Sequence, residues 1–83
     1  IPAHNFGIYD IAFNERLNLC VTTSFDKTIK IWDSNTFESP IRLEHESGGH
    51  SSSVNSVLWQ NEKTFITVGD DRRIIKWEVY EQD

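Results

Sequence analysis

The sequence predicts an all-β chain built from two copies of one antiparallel strand unit. Three observations predict it. First, the stretch Ser24-Phe25-Asp26-Lys27-Thr28-Ile29-Lys30-Ile31-Trp32-Asp33 returns 45 positions later as Gly69-Asp70-Asp71-Arg72-Arg73-Ile74-Ile75-Lys76-Trp77-Glu78. Asp26 falls on Asp71, Ile29 on Ile74 and Trp32 on Trp77, and an internal repeat governs every later reading. Second, short runs rich in β-branched and aromatic residues are separated by Asn, Asp, Ser and Gly, which favour turns. Third, no ten-residue stretch carries apolar residues at helical spacing, so no helix is predicted.

The elements follow in order. Ile1-Pro2-Ala3 reads as the tail of a preceding strand and His4-Asn5-Phe6-Gly7 as a loop. Ile8 to Phe13 is the first strand. Its apolar positions Ile8, Ile11 and Phe13 step by three and then two, so a bulge is expected near Tyr9-Asp10. After the turn Asn14-Glu15-Arg16, Leu17 to Ser24 is the second strand, with Leu17, Leu19 and Val21 on one face. Thr28 to Asp33 is the third. A turn at Ser34-Asn35-Thr36 leads to a fourth strand, about Ser39 to Glu44. Pro40 removes a ladder donor, which makes this an edge strand.

Glu46 to Ser53 is the most loop-like stretch, and the pattern then restarts. Val54, Val57 and Trp59 repeat the three-then-two step. Gln60 to Lys63 is a turn, Phe65 to Val68 a strand, and Arg73 to Val79 the last strand. No fourth strand follows in this unit. His4 and His50 are 46 apart and Trp32 and Trp77 are 45 apart, which puts a one-residue deletion in the turn between Trp59 and Phe65.

At 83 residues the chain is one domain at most, and a chain this short buries only ~60–65% of its unfolded surface. The net charge of −5 argues against a nucleic-acid or anionic-membrane surface, which needs clustered Lys and Arg. No apolar run approaches the ~20 residues of a membrane span, and no signal peptide is visible. The chain opens on Ile1-Pro2 and has no Met, as expected for a segment of a longer protein. Cys20 is the single cysteine; it excludes an internal disulfide and fits a reducing compartment such as the cytosol.

Two chemical readings are weighed and set aside. His50, Asp71 and Thr67 are the residue types of a hydrolase triad, but nucleophilic catalysis needs an exposed hydroxyl beside its base and oxyanion donors nearby. Here the same set appears twice, each time with a Trp to pair. Glu44, His45, Glu46 and His50 show no recognised metal-ligand spacing. No enzyme activity, metal or cofactor is expected.

Two units opened by His and closed by Trp-Asp or Trp-Glu resemble the WD-repeat β-propeller family, from His4 to Glu78. The resemblance implies a partial propeller over residues 1–83, with one blade at about 4–44 and a second at about 50–79, the second lacking its outer strand. It also implies a buried hydrogen-bonded tetrad in each blade: His4, Thr22, Asp26 and Trp32 in the first, and His50, Thr67, Asp71 and Trp77 in the second. Four buried polar groups must all pair, and a relay satisfies them. Two departures stand out. Ala3 replaces the usual Gly before His4, and Lys76 stands where the first unit has Ile31, on a face meant to meet another blade.

In the family the turn before the third strand lies on the face where partners dock. That makes Phe25, Lys27, Asp70 and Arg72 candidate partner contacts, with Arg73, Tyr9 and Asn55 as weaker ones. The second unit further resembles the last repeat of a cytosolic tandem propeller that works with cofilin to disassemble actin filaments. The implied function is a non-enzymatic interaction module with actin and cofilin as partners, in the cytoplasm and cytoskeleton, with no nucleic acid or membrane. The alternative is a scaffold subunit of another complex, such as a ubiquitin-ligase adaptor or a chromatin or trafficking assembly.

Overall fold

The computed structural model describes residues 3, 4, 6–38 and 40–80. The expected strand tail at Ile1-Pro2, the Ser39 start of the fourth strand and the last three residues lie outside these. Seven strands form two antiparallel sheets: β1 (Ile8–Asn14), β2 (Leu19–Ser24), β3 (Ile29–Asp33) and β4 (Ile41–Leu43) in order β1-β2-β3-β4, and β5 (Val54–Trp59), β6 (Thr64–Gly69) and β7 (Ile74–Glu78) in order β5-β6-β7.

The three-then-two spacing has its structural cause in register. The first strand of each sheet, β1 and β5, slips by one residue, between Ile8 and Asp10 and between Val54 and Ser56, so Tyr9 and Asn55 are bulge residues. The shorter second turn shows as Phe13 opposite Cys20 but Trp59 opposite Phe65.

Several boundaries differ from the expectation. β2 begins at Leu19, not Leu17. The Asn14 side chain accepts the Leu17 N–H at 3.1 Å and Asn18 takes a left-handed φ of 54°, so Leu17 belongs to the turn. β3 begins at Ile29 because the Thr28 N–H is drawn to the Asp26 carboxylate at 3.0 Å. β4 is three residues long and sits at the edge. β6 starts at Thr64 and β7 spans Ile74–Glu78. The loop after β4 carries one turn of 3-10 helix, His45–Ser47, closed by Gly48 at φ 87°.

The core lies between the sheets. Val21 and Ile29 of the first pack with Val54, Val57 and Phe65 of the second, and Ala12, Ile31, Leu43, Trp59, Trp77 and Val79 close around them. Along the seam between β1 and β5 the sheets are also tied by polar bonds. Asp10 accepts the Val57 N–H at 2.9 Å and the Ser56 hydroxyl at 3.0 Å. Asn14 donates to the Glu62 carbonyl at 2.8 Å, and the Trp59 indole to the Ala12 carbonyl at 3.3 Å. By strand alternation Ile74, Lys76 and Glu78 lie exposed on the face of β7 opposite the one carrying Ile75 and Trp77. That face points away from the first sheet.

Candidate functional site

Each sheet holds one buried polar chain. In the first, the Trp32 indole N–H donates to Thr22 Oγ1 at 2.9 Å, and Thr22 Oγ1 lies 2.7 Å from His4 Nε2. His4 Nδ1 lies 3.0 Å from the Asp26 carboxylate. In the second, Trp77 reaches Thr67 at 3.1 Å, Thr67 lies 2.8 Å from His50 Nε2, and His50 Nδ1 lies 3.0 Å from Asp71. All eight residues named from the sequence are therefore assembled into two four-membered relays.

The donor order fixes the protonation state. Each indole can only donate, so the threonine oxygen accepts there and its own proton goes to His Nε2. That leaves Nδ1 to carry the imidazole proton and donate it to the carboxylate. The histidine must stay neutral for every group to be satisfied. Burial indeed pushes the His4 pKa below 6.5, against the opposing pull of Asp26. At Asp71, burial pushes the carboxyl up, but bonds from His50 and from the Ser51 and Arg73 N–H groups outweigh it and hold the pKa at about 2.

The two relays differ at their carboxylate ends. Asp26 also receives the Thr28 hydroxyl, which lies 3.0 Å from His4 Nδ1. Arg73 replaces Thr28 in the second unit and sends its guanidinium to the Gly49 carbonyl at 3.1 Å. Gly69 stands where the first unit has Ser24. A Cβ there would come within 2.6 Å of His50 Nδ1 and 3.0 Å of the Ser53 carbonyl, so the second histidine occupies space that a side chain would need.

The hydrolase-triad geometry is thus present in form but closed. Thr67 is fully buried and its oxygen already accepts an indole N–H, so no substrate carbonyl can reach it. His50 has both ring nitrogens engaged and none free for a metal. Glu44 pairs with Arg42 at 3.1 Å, and among the described residues no three His, Cys, Asp or Glu side chains converge on a metal position.

The candidate partner residues sit on the turns that the relays anchor. Phe25 is half exposed and touches two rings edge-on, Phe6 at 5.7 Å and Tyr9 at 6.2 Å. At the matching positions of the second unit, Asn55 donates to Asp70 at 2.6 Å. Lys27 and Arg72 occupy equivalent left-handed corners, φ 73° and 65°. The sequence singled out Phe25 and Tyr9 separately but missed Phe6, which lies in the preceding loop with no pattern to mark it. It also missed Asp10, whose partners are 46 and 47 residues away. Among the described residues no helix is long and apolar enough to cross a membrane.

Comparison with known proteins agrees with this geometry. The family model described as WD domain, G-beta repeat matches residues 1–33 and 41–78. The chain is 40% identical over 60 residues to actin-interacting protein 1 of Caenorhabditis elegans, covering 70% of this chain and 9% of that protein. It is 35% identical over 66 residues to histone acetyltransferase type B subunit 2 of Mycosarcoma maydis, covering 74% and 15%. It is 30% identical over 76 residues to the 66 kDa stress protein of Physarum polycephalum, covering 92% and 12%. The chain therefore spans about an eighth of the length of these relatives. Among solved structures, the computationally designed Ika4 protein superposes with a TM-score of 0.74 at 26% identity, over 93% of this chain and 44% of that one. With its repeated strand units, its paired relays and a family match over most of its length, the chain belongs to the WD-repeat family and forms two adjacent blades of a β-propeller, one of four strands and one of three.

Proposed function

We propose that these blades are a protein-docking part of a propeller that binds actin filaments together with cofilin and promotes filament disassembly. Docking is supported by the exposed aromatic contact of Phe25 with Phe6 and Tyr9 on the turn side, because aromatic side chains held half-exposed by a rigid scaffold are typical anchors of binding. The actin reading is supported by the 40% identity to the worm actin-interacting protein 1 and by the resemblance of the second unit to the last repeat of such propellers. The role is non-enzymatic, carried by surface rather than by reacting groups, and its place is the cytoplasm and cytoskeleton.

Pelleting of actin filaments with the full-length protein tests this. Co-pelleting that depends on cofilin, with more actin left in the supernatant, supports the reading. No binding with or without cofilin refutes it. A scaffold role in another multiprotein complex then leads, a reading favoured by the histone acetyltransferase subunit and by the 30% identity over 70 residues to the ribosome biogenesis protein YTM1 of Lodderomyces elongisporus.

A further inference from the structure

We propose that the far face of the second sheet forms a weaker seam than the one between the two blades, and that the propeller opens there before it opens between them. In the first sheet, Ala12, Val21, Ile31 and Ile41 stand opposite one another in register, and Asp10, Thr23, Ile29 and Leu43 form the parallel row on the same face. This face closes the seam between the blades. Ala12, Val21, Ile29, Ile31 and Leu43 belong to the core shared with the second sheet, and Asp10 holds the Val57 N–H and the Ser56 hydroxyl.

A propeller continues blade upon blade, so the matching face of β5–β6–β7 seats the next sheet of the ring. Its rows are Leu58, Ile66 and Lys76, and beside them Ser56, Val68 and Ile74. Leu58 is the counterpart of Ala12, Ile66 of Val21, Val68 of Thr23 and Ile74 of Ile29, so the middle of the face is apolar. The margins are not. Ser56 replaces Asp10, and with the carboxylate goes the charged acceptor that reaches into the neighbouring sheet. Lys76 replaces Ile31, and its ammonium must shed water when this seam closes. Among the described residues no strand follows β7, so nothing stands where Ile41 and Leu43 extend the first face. All three changes act in one direction. The apolar middle closes the seam, and the altered margins lower the cost of opening it. Such opening breaks no ladder within the second sheet. It also leaves the second relay in place, because Trp77 packs with the core on the side of the first sheet and bonds to Thr67 there.

Thiol labelling of the full-length protein tests this. Val21→Cys places a probe at the centre of the seam between the blades, where Val21 is fully buried. Ile66→Cys places the same probe at the equivalent point of the far face. With N-ethylmaleimide in excess and labelling at each site read by peptide mass spectrometry, Ile66→Cys should react at least about tenfold faster than Val21→Cys. Adding Lys76→Ile should slow labelling of Ile66→Cys at least about threefold and leave that of Val21→Cys unchanged. Should either cysteine variant fail to fold, Leu58→Cys against Ala12→Cys carries the same comparison, since these are their neighbours in the same rows. Equal rates at the two seams, or faster labelling at the first, overturn the proposal. So does labelling that Lys76→Ile leaves unchanged or speeds up, which would mean that the next blade supplies Lys76 with a partner.

Discussion

Replacing Asp10 by Ala should unfasten the seam between the blades at one identifiable amide. In the wild type the Asp10 carboxylate reaches across to the Val57 N–H at 2.9 Å and the Ser56 hydroxyl at 3.0 Å, and it also accepts the Ile11 N–H at 2.9 Å. These bonds, led by the one from Val57, pull the Asp10 pKa below 3.8, so the ionised form is the one held. A hydrogen bond to a charged group contributes ~1.5–3 kcal/mol, and the half-buried setting places the loss at about 2 kcal/mol. Hydrogen exchange of the Val57 amide reads this directly, and 2 kcal/mol corresponds to about 30-fold faster exchange. Asp10→Asn keeps an acceptor and should give a smaller change. Ser56→Ala, at an exposed position, should cost only ~0.5–1 kcal/mol and couple to Asp10 in a double-mutant cycle. Unchanged Val57 exchange in Asp10→Ala would refute the claim that this carboxylate ties the blades, leaving the apolar core and the Asn14–Glu62 and Trp59–Ala12 bonds to do so.

Gly69→Ala should destabilise by ~1–3 kcal/mol, since its Cβ would press on His50 and on the Ser53 backbone, and chemical denaturation checks it. Thr23→Val should stabilise by ~1 kcal/mol, because Thr23 Oγ1 is buried and makes no hydrogen bond, while the methyl fills the same space; a lower denaturation midpoint would mean that the hydroxyl has a partner. Acidification should weaken the fold in two stages. His4 binds its proton less readily folded than unfolded, so its contribution is complete above 6.5 and falls as pH drops toward its folded value. Asp71, held at about 2, contributes fully above 3.8 and loses this as pH falls from there to about 2. Denaturation midpoints measured across both windows should therefore fall with pH, and His4→Gln should remove the upper stage.

How much could be read from the chain depended on whether the signal was periodic. The relays were legible through the family resemblance, which implies a His, a Thr, an Asp and a Trp in each blade, and these stand at nearly equal offsets in both units. The bulges were legible because an extra residue breaks the two-residue alternation visibly. Leu17 was misplaced because an apolar residue in a turn patterns like the strand beside it, and only the Asn14 side-chain bond reveals the turn. Asp10 looked like a bulge residue with nothing to do. Its bonds run to the other blade, and the matching residue of the second unit is Ser56, so no repeat pointed to it. Lys76 lies on the face of β7 turned away from the first blade, the face on which its counterpart Ile31 meets the second sheet.

The bulge residue of β1 touches the residue before the turn aspartate, and so does its counterpart in β5: one pair is Tyr9 with Phe25, the other Asn55 with Asp70. The backbone brings these two positions together whatever fills them, while the relay beneath holds the turn in place. Stability and surface chemistry are thereby written in separate letters of the same unit. Evolution, or an engineer, can rewrite the visible pair of one blade from greasy to acidic without touching the residues that keep it folded, and each blade becomes an independently editable character on the turn face.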